Sequence, residues 1–146
     1  MKPAFVAGFG PIVRDMDASR AFWGDGLGIK LEESSPGYWT SDDLEGVKAF
    51  ALWPLSQAAE ACFGSETWPP ELPEPQAWLE LDVESPEAVA PATAEMAGRG
   101  YRILVDAKLE PWGQTVSHLL SPEGILVGIV YTPWMHEPAG KQDEAS

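Results

Sequence analysis

The chain has 146 residues, enough for one domain or for two small modules that share a core. Its 23 acidic and 9 basic residues leave a formal net charge of −14, which repels nucleic acid phosphates and anionic lipid heads and argues against both as partners. The single cysteine, Cys62, rules out an intrachain disulfide, no apolar run approaches the ~20 residues of a membrane span, and Met1–Phe5 carries no apolar leader, so the expectation is a cytoplasmic protein.

In chain order, Phe5–Val13 reads as a strand. Asp15–Gly26 follows as a helix with Asp15 or Asp17 as its cap and glycines at its end. Strands are predicted at Ile29–Glu33, Tyr38–Ser41 and Val47–Trp53, parted by turn residues at 34–37 and 42–46. An insertion then runs from Pro54 to Pro75. Its Gln57–Gly64 segment predicts a short helix and lid, and its four prolines between 69 and 75 forbid a helix interior or a central strand. Beyond it Ala77–Val83 alternates as a strand. Ser85 and Pro86 open a helix to about Ala97, and Tyr101–Asp106, Gln114–Leu120 and Ile125–Tyr131 complete the order.

Each half thus reads strand, helix, strand, strand, strand. Val13 and Val83 precede their helices 70 residues apart. A four-stranded sheet with one helix leaves a face bare, so two such units are expected to share it. The expected fold class is α+β: two tandem βαβββ modules forming a concave, partly open barrel-like sheet. Module one is placed at 3–54, the insertion at 55–75, module two at 76–134 and a flexible tail at 135–146.

The stretch Val13-Arg14-Asp15 through Ser19 and Phe22-Trp23, then Leu27-Gly28-Ile29, resembles the first-module signature of the glyoxalase/bleomycin-resistance/dioxygenase (vicinal oxygen chelate) superfamily. Pro111-Trp112-Gly113-Gln114 followed by Ser121-Pro122-Glu123-Gly124 is similar to a later stretch of that family. The resemblance covers about residues 5–134 and implies a paired-module cleft. In metal-dependent members, His, Gln and Glu in that cleft hold a divalent cation. The matching stations here are Gly8, Ala49 or Ala51, Trp78 and Gly128, none of which has a side-chain ligand. A metal-free branch is therefore expected, with no metal and no cofactor.

Alternation puts Trp78, Glu80 and Asp82 on one face of their strand and Leu79, Leu81 and Val83 on the other. If the apolar set lies under its helix, an indole and two carboxylates line the cleft. That pairing suits a planar or cationic ligand through stacking, cation–π attraction and charge-assisted hydrogen bonds. Trp39, Phe50, Trp112 and His118 complete the candidate ligand-binding set, with Trp53 a further wall. The leading expectation is a protein that sequesters a small aromatic or cationic compound in a Trp-lined acidic cleft. The resemblance to the bleomycin-resistance branch adds a homodimer. The alternative is a metal-independent isomerase or lyase with Glu80, Asp82 or His118 as acid or base. A third option is a vestigial cleft plugged by Trp78 and Trp112. Gly24–Gly28 follows a helix rather than opening one, so it is not a phosphate loop.

Overall fold

In the computed structural model, which describes residues 1–136, eight strands form one sheet. They are β1 (Phe5–Val13), β2 (Glu32–Ser35), β3 (Tyr38–Ser41), β4 (Phe50–Pro54), β5 (Ala77–Asp82), β6 (Ile103–Leu109), β7 (Thr115–Leu120) and β8 (Leu126–Tyr131). Their order is β2-β3-β4-β1-β5-β8-β7-β6. The first strands of the two halves, β1 and β5, pair antiparallel at the centre, and each pairs parallel with the last strand of its own half. The sheet is curved and unclosed, as the expected fold class requires.

Three helices cover the two faces. The first, α1 (Met16–Arg20), begins where the Asp15 carboxylate accepts a hydrogen bond from the Ala18 amide, which supplies a partner for an otherwise orphaned donor. The expected helix to Gly26 does not stay α-helical. From Ala21 to Gly26 it widens into π turns, with the Leu27 amide bonding to the Phe22 carbonyl. Gly24 and Gly26 hold an α-helix weakly, which permits the wider turn. This segment packs Met16 and Trp23 on Val13, Phe50 and Leu52. On the other half, α3 (Val89–Gly98) packs Val89 and Ala92 on Val83, Leu119 and Ile129. Its entry is a 3-10 turn at Pro86–Ala88, and the expected Ser85 side-chain cap is not made.

The insertion does form a helix, α2 (Leu55–Phe63). It touches β4 and β1 on one side and β6 on the other. In the strand order β4 and β6 are five steps apart, about 24 Å across a flat sheet. A nine-residue helix is only about 14 Å long. Touching both arms is geometrically possible because the sheet curls around it. Ala58, Ala59 and Cys62 of α2 are buried with Ile12, Ala51, Trp78 and Leu126 of the inner face, and Trp68 from the proline-rich loop joins them. Burial pushes the Cys62 thiol up to about 12, against the pull of Lys108.

The first two residues of the tail expected to be flexible from 135 onward are packed on the sheet. Met135 packs on Ala7, Val116 and Val130, and the His136 ring stacks on Tyr131 at 4.3 Å. Residues 137–146 lie outside the described residues.

At the centre of the inner face, the register sets Gly10 opposite Trp78 and Gly8 opposite Glu80. The buried Trp78 indole lies over both glycines and donates its N–H to the Ala51 carbonyl at 3.2 Å. A Cβ on Gly8 would stand 2.6 Å from the indole, and one on Gly10 only 1.9 Å from the Ala51 oxygen. Gly10→Ala is therefore expected to lose stability at or above the upper end of the ~1–3 kcal/mol typical of overpacking. Gly98→Ala, at the end of α3 with open space around it, should be neutral or slightly stabilising. Urea denaturation of the two variants checks the contrast, and equal midpoints would refute the tight fit.

Candidate functional site

Pairing across the inner face arranges its side chains in transverse rows. One row, Gly10–Trp78–Leu126–Leu120, is apolar and lies under α2. The next runs Gly8–Glu80–Gly128–His118 across β1, β5, β8 and β7. The third carries Asp82, Val130 and Val116. The cup is thus apolar and filled at the α2 end and polar at the other.

The middle row holds the chemistry. Glycines flank Glu80 on both sides, so its side chain is not crowded by neighbours in the row. A Cβ on Gly128 would stand 3.0 Å from Glu80 Cγ and 3.5 Å from His118 Nε2. The two functional groups therefore converge on the space above Gly128. His118 is 5% exposed, and its Nε2 is buried without a hydrogen-bond partner. A buried polar nitrogen left unpaired costs about 1–3 kcal/mol. The Trp53 ring stands 5.9 Å from the His118 ring and 6.0 Å, edge-on, from Trp78.

A hydrogen-bond network ties this row to the rim. Gln114 donates to Glu80 Oε1 at 3.2 Å and to Thr132 Oγ1 at 2.8 Å, and accepts from the Trp112 indole at 3.0 Å. The Thr132 amide donates to both oxygens of the fully buried Asp82, which also meets His136 Nε2. Glu80 itself remains partly exposed, so access to the row is from its side. Burial pushes Glu80 up to about 7; the Gln114 hydrogen bond opposes the rise and the Asp82 charge adds to it. Burial, helped by the Lys108 charge, lowers His118 to about 4. Tyr38 on β3 is raised above the ordinary phenol range, by burial first and then by the Glu80 charge.

Trp78, Glu80, Asp82 and His118 are thus brought together, and Trp53 with them. Trp112 is 59% exposed and stands at the rim, so it does not plug the cup; Trp78 and α2 fill that space. Trp39 and Phe50 are not part of the group. Phe50 is buried with Val13 and Leu52 under α1, and Trp39, paired opposite Leu52, packs there too, beneath the Arg20 guanidinium at 3.7 Å. Alternation along β3 and β4 turns both to the outer face, and the same alternation turns Tyr38 inward. Gln114 and Tyr38 are the site residues that the sequence reading missed. The first follows the Trp112-Gly113 motif directly, and the second is the inward neighbour of Trp39.

The four metal stations hold Gly8, Ala49 or Ala51, Trp78 and Gly128, and the indole occupies the space over Gly8. The residues present do not fit a divalent cation at those stations. Among the described residues, no group of three or more His, Cys, Asp or Glu stands together as a metal cluster. Two surface depressions of about 300 and 280 Å³ lie outside the cup, one over the π turns and one between Arg14 and the start of α2.

The family model described as Glyoxalase/Bleomycin resistance protein/Dioxygenase superfamily matches residues 9–129. The chain belongs to that superfamily. No curated protein matches it. Among solved structures it is similar to a superfamily member from Vibrio splendidus 12B01, at 18% identity and a TM-score of 0.56, over 88% of this chain and 98% of that one. It is also similar to a protein from Legionella pneumophila described as an NAD-dependent benzaldehyde dehydrogenase, at 17% identity and a TM-score of 0.54, covering 85% and 96%. A third is the Mn(II)-bound glyoxalase from Novosphingobium aromaticivorans, at 16% identity and a TM-score of 0.50, covering 89% of this chain and 38% of that one. At these identities the likenesses show the fold alone. No helix among the described residues is long and apolar enough to cross a membrane.

The two shifted groups act on stability with opposite signs. Glu80 binds its proton more tightly folded than unfolded, so its contribution is present below about pH 4.5 and is lost as pH rises through about 7. His118 is depressed, so its contribution is present above about pH 6.5 and is lost as pH falls through about 4. Glu80→Gln, which keeps the shape without the charge, is expected to raise the melting temperature at about pH 8 and to have little effect near pH 4.5. Melts at the two pH values check this; an equal shift at both would refute it.

Proposed function

We propose that the protein is a metal-independent small-molecule-binding protein that holds an aromatic or cationic compound at the polar end of its cup, against Trp78, Glu80, Asp82, His118 and Trp112. The observation that carries this is His118 Nε2, buried without a partner and turned to the space that Glu80 also faces. A ligand atom there offsets the cost of the unpaired nitrogen. The donor-free metal stations support metal independence, and the partly exposed Glu80 supplies an entrance.

One further reading has a specific observation in its favour. A carboxyl pushed up to about 7 beside a neutral imidazole is poised for general acid–base work near neutral pH. In that reading Glu80 moves a proton on a small metabolite, and turnover survives a chelator but not Glu80→Gln. A homodimer belongs to the proposal as well; Val6 and Phe9, exposed on the outer face of β1, offer it an apolar contact.

Trp53 and Trp78 adjoin the site and report on it. Titration of the protein with planar aromatic cations and neutral aromatics is expected to quench or shift tryptophan emission, and Trp78→Phe to weaken that response. An unchanged spectrum up to about 1 mM of every compound, the weakest binding worth about −4 kcal/mol, counts against the reading.

A further inference from the structure

We propose that Glu80 and His118, which converge over Gly128, bind the ammonium head of a small primary amine. The inference rests on the binding function proposed above and assigns the chemical class of its ligand.

The donors and acceptors around the gap between Glu80 and His118 are unbalanced. Gln114 spends both of its amide hydrogens, on Glu80 and Thr132, and its oxygen accepts from Trp112. It has nothing further to offer the gap. Glu80 takes one of those hydrogens on Oε1, whereas an ionised carboxylate has room for about four. Among the described residues no Lys or Arg forms an ion pair with Glu80; Lys108, whose charge acts on His118, pairs with Glu110 at 3.6 Å. With its proton on Nδ1, the neutral His118 presents Nε2 as a second buried acceptor. An ammonium group brings three donors and one positive charge, the complement of two unsatisfied acceptors and one unneutralised carboxylate.

Donor count selects among cations. A Cβ on Gly128 would press on Glu80 Cγ at 3.0 Å and Val130 Cγ1 at 3.3 Å and reach His118 Nε2 at 3.5 Å, so the glycine spares the two groups a side chain between them. A primary ammonium brings the N–H donors that the two acceptors need, whereas a quaternary ammonium has none. The Trp53 ring beside His118 gives the body of the amine an aromatic wall.

Binding should depend on pH through Glu80. The titratable groups that face it are Tyr38, Asp82 and His118, with Lys108 acting on His118 from β6 and His136 held on Asp82. His118 is neutral above about pH 4 and Tyr38 stays protonated, so neither changes charge between about pH 6 and pH 8, the range in which Glu80 ionises near 7. A primary amine remains cationic across that range.

The test is calorimetric titration of the full chain with benzylamine, benzyl alcohol, benzyltrimethylammonium and benzoate, with tryptophan emission followed in parallel. Benzylamine is expected to bind at least about tenfold more tightly than the other three. Its affinity should rise between about pH 6 and pH 8 as Glu80 ionises. Glu80→Gln and, independently, Gly128→Ala should each cost it about tenfold or more while circular dichroism shows a native fold. If benzyl alcohol, benzyltrimethylammonium or benzoate binds and shifts the emission as strongly as benzylamine, the ammonium assignment is overturned and the binding function stands. If folded Glu80→Gln binds benzylamine like the parent chain, the assignment is likewise overturned. If none of the four binds and the emission stays fixed, both readings fall.

Discussion

The antiparallel pairing of β1 with β5 fixes almost everything of interest in this molecule. It puts glycines opposite Trp78 and Glu80, so that a large indole and a carboxylate lie side by side on the inner face without collision. Strand side chains alternate, so a slip of one residue would turn Trp78, Glu80 and Asp82 outward together. The indole's hydrogen bond to the Ala51 carbonyl adds β4 to the same arrangement. The two halves are thus joined by backbone pairing at their first strands, and the Trp78 side chain reaches across the joint.

That joint divides the cup into two environments. On one side α2, Trp68 and Trp78 form an apolar core that spans both arms of the sheet. On the other, a chain of hydrogen bonds from Trp112 through Gln114 and Thr132 links both carboxylates. His118 belongs to the boundary, with Trp53 beside it and an unpaired nitrogen facing Glu80's side. Buried polar groups are nearly always satisfied in folded proteins, so the orphan His118 nitrogen at the edge of a dry core and an acidic niche is an exception.

Much of this was legible in the sequence, because it follows from period and punctuation. The bounds of β1 and β3 follow from alternation between turn residues, and the inward trio of β5 follows from a strict polar–apolar alternation that leaves one consistent face. That an aspartate at 15 or 17 caps α1 was visible for a similar local reason, and Asp15 is the one that does. Trp39 and Phe50 were misplaced because aromatic character does not say which face of a strand is inward. That depends on which side α1 covers, and on the pairing of Trp39 with Leu52. Gln114 and Tyr38 escaped notice because their roles arise from neighbours 34 and 42 positions away in Glu80, a separation that no local pattern encodes. The place of α2 across the cup was beyond reach too: its sequence predicts a helix, but only the curl of the sheet decides what that helix touches.

The glycine pair beneath the indole constrains which substitutions this core accepts. A chelating side chain at position 8 would enter the volume that the Trp78 ring already fills, and removing the ring first would empty the centre of the core. Each exchange alone is penalised, whereas both together need not be. Positions 8 and 78 are therefore coupled, and introducing a chelating side chain at position 8 by single steps passes through a poorly folded intermediate.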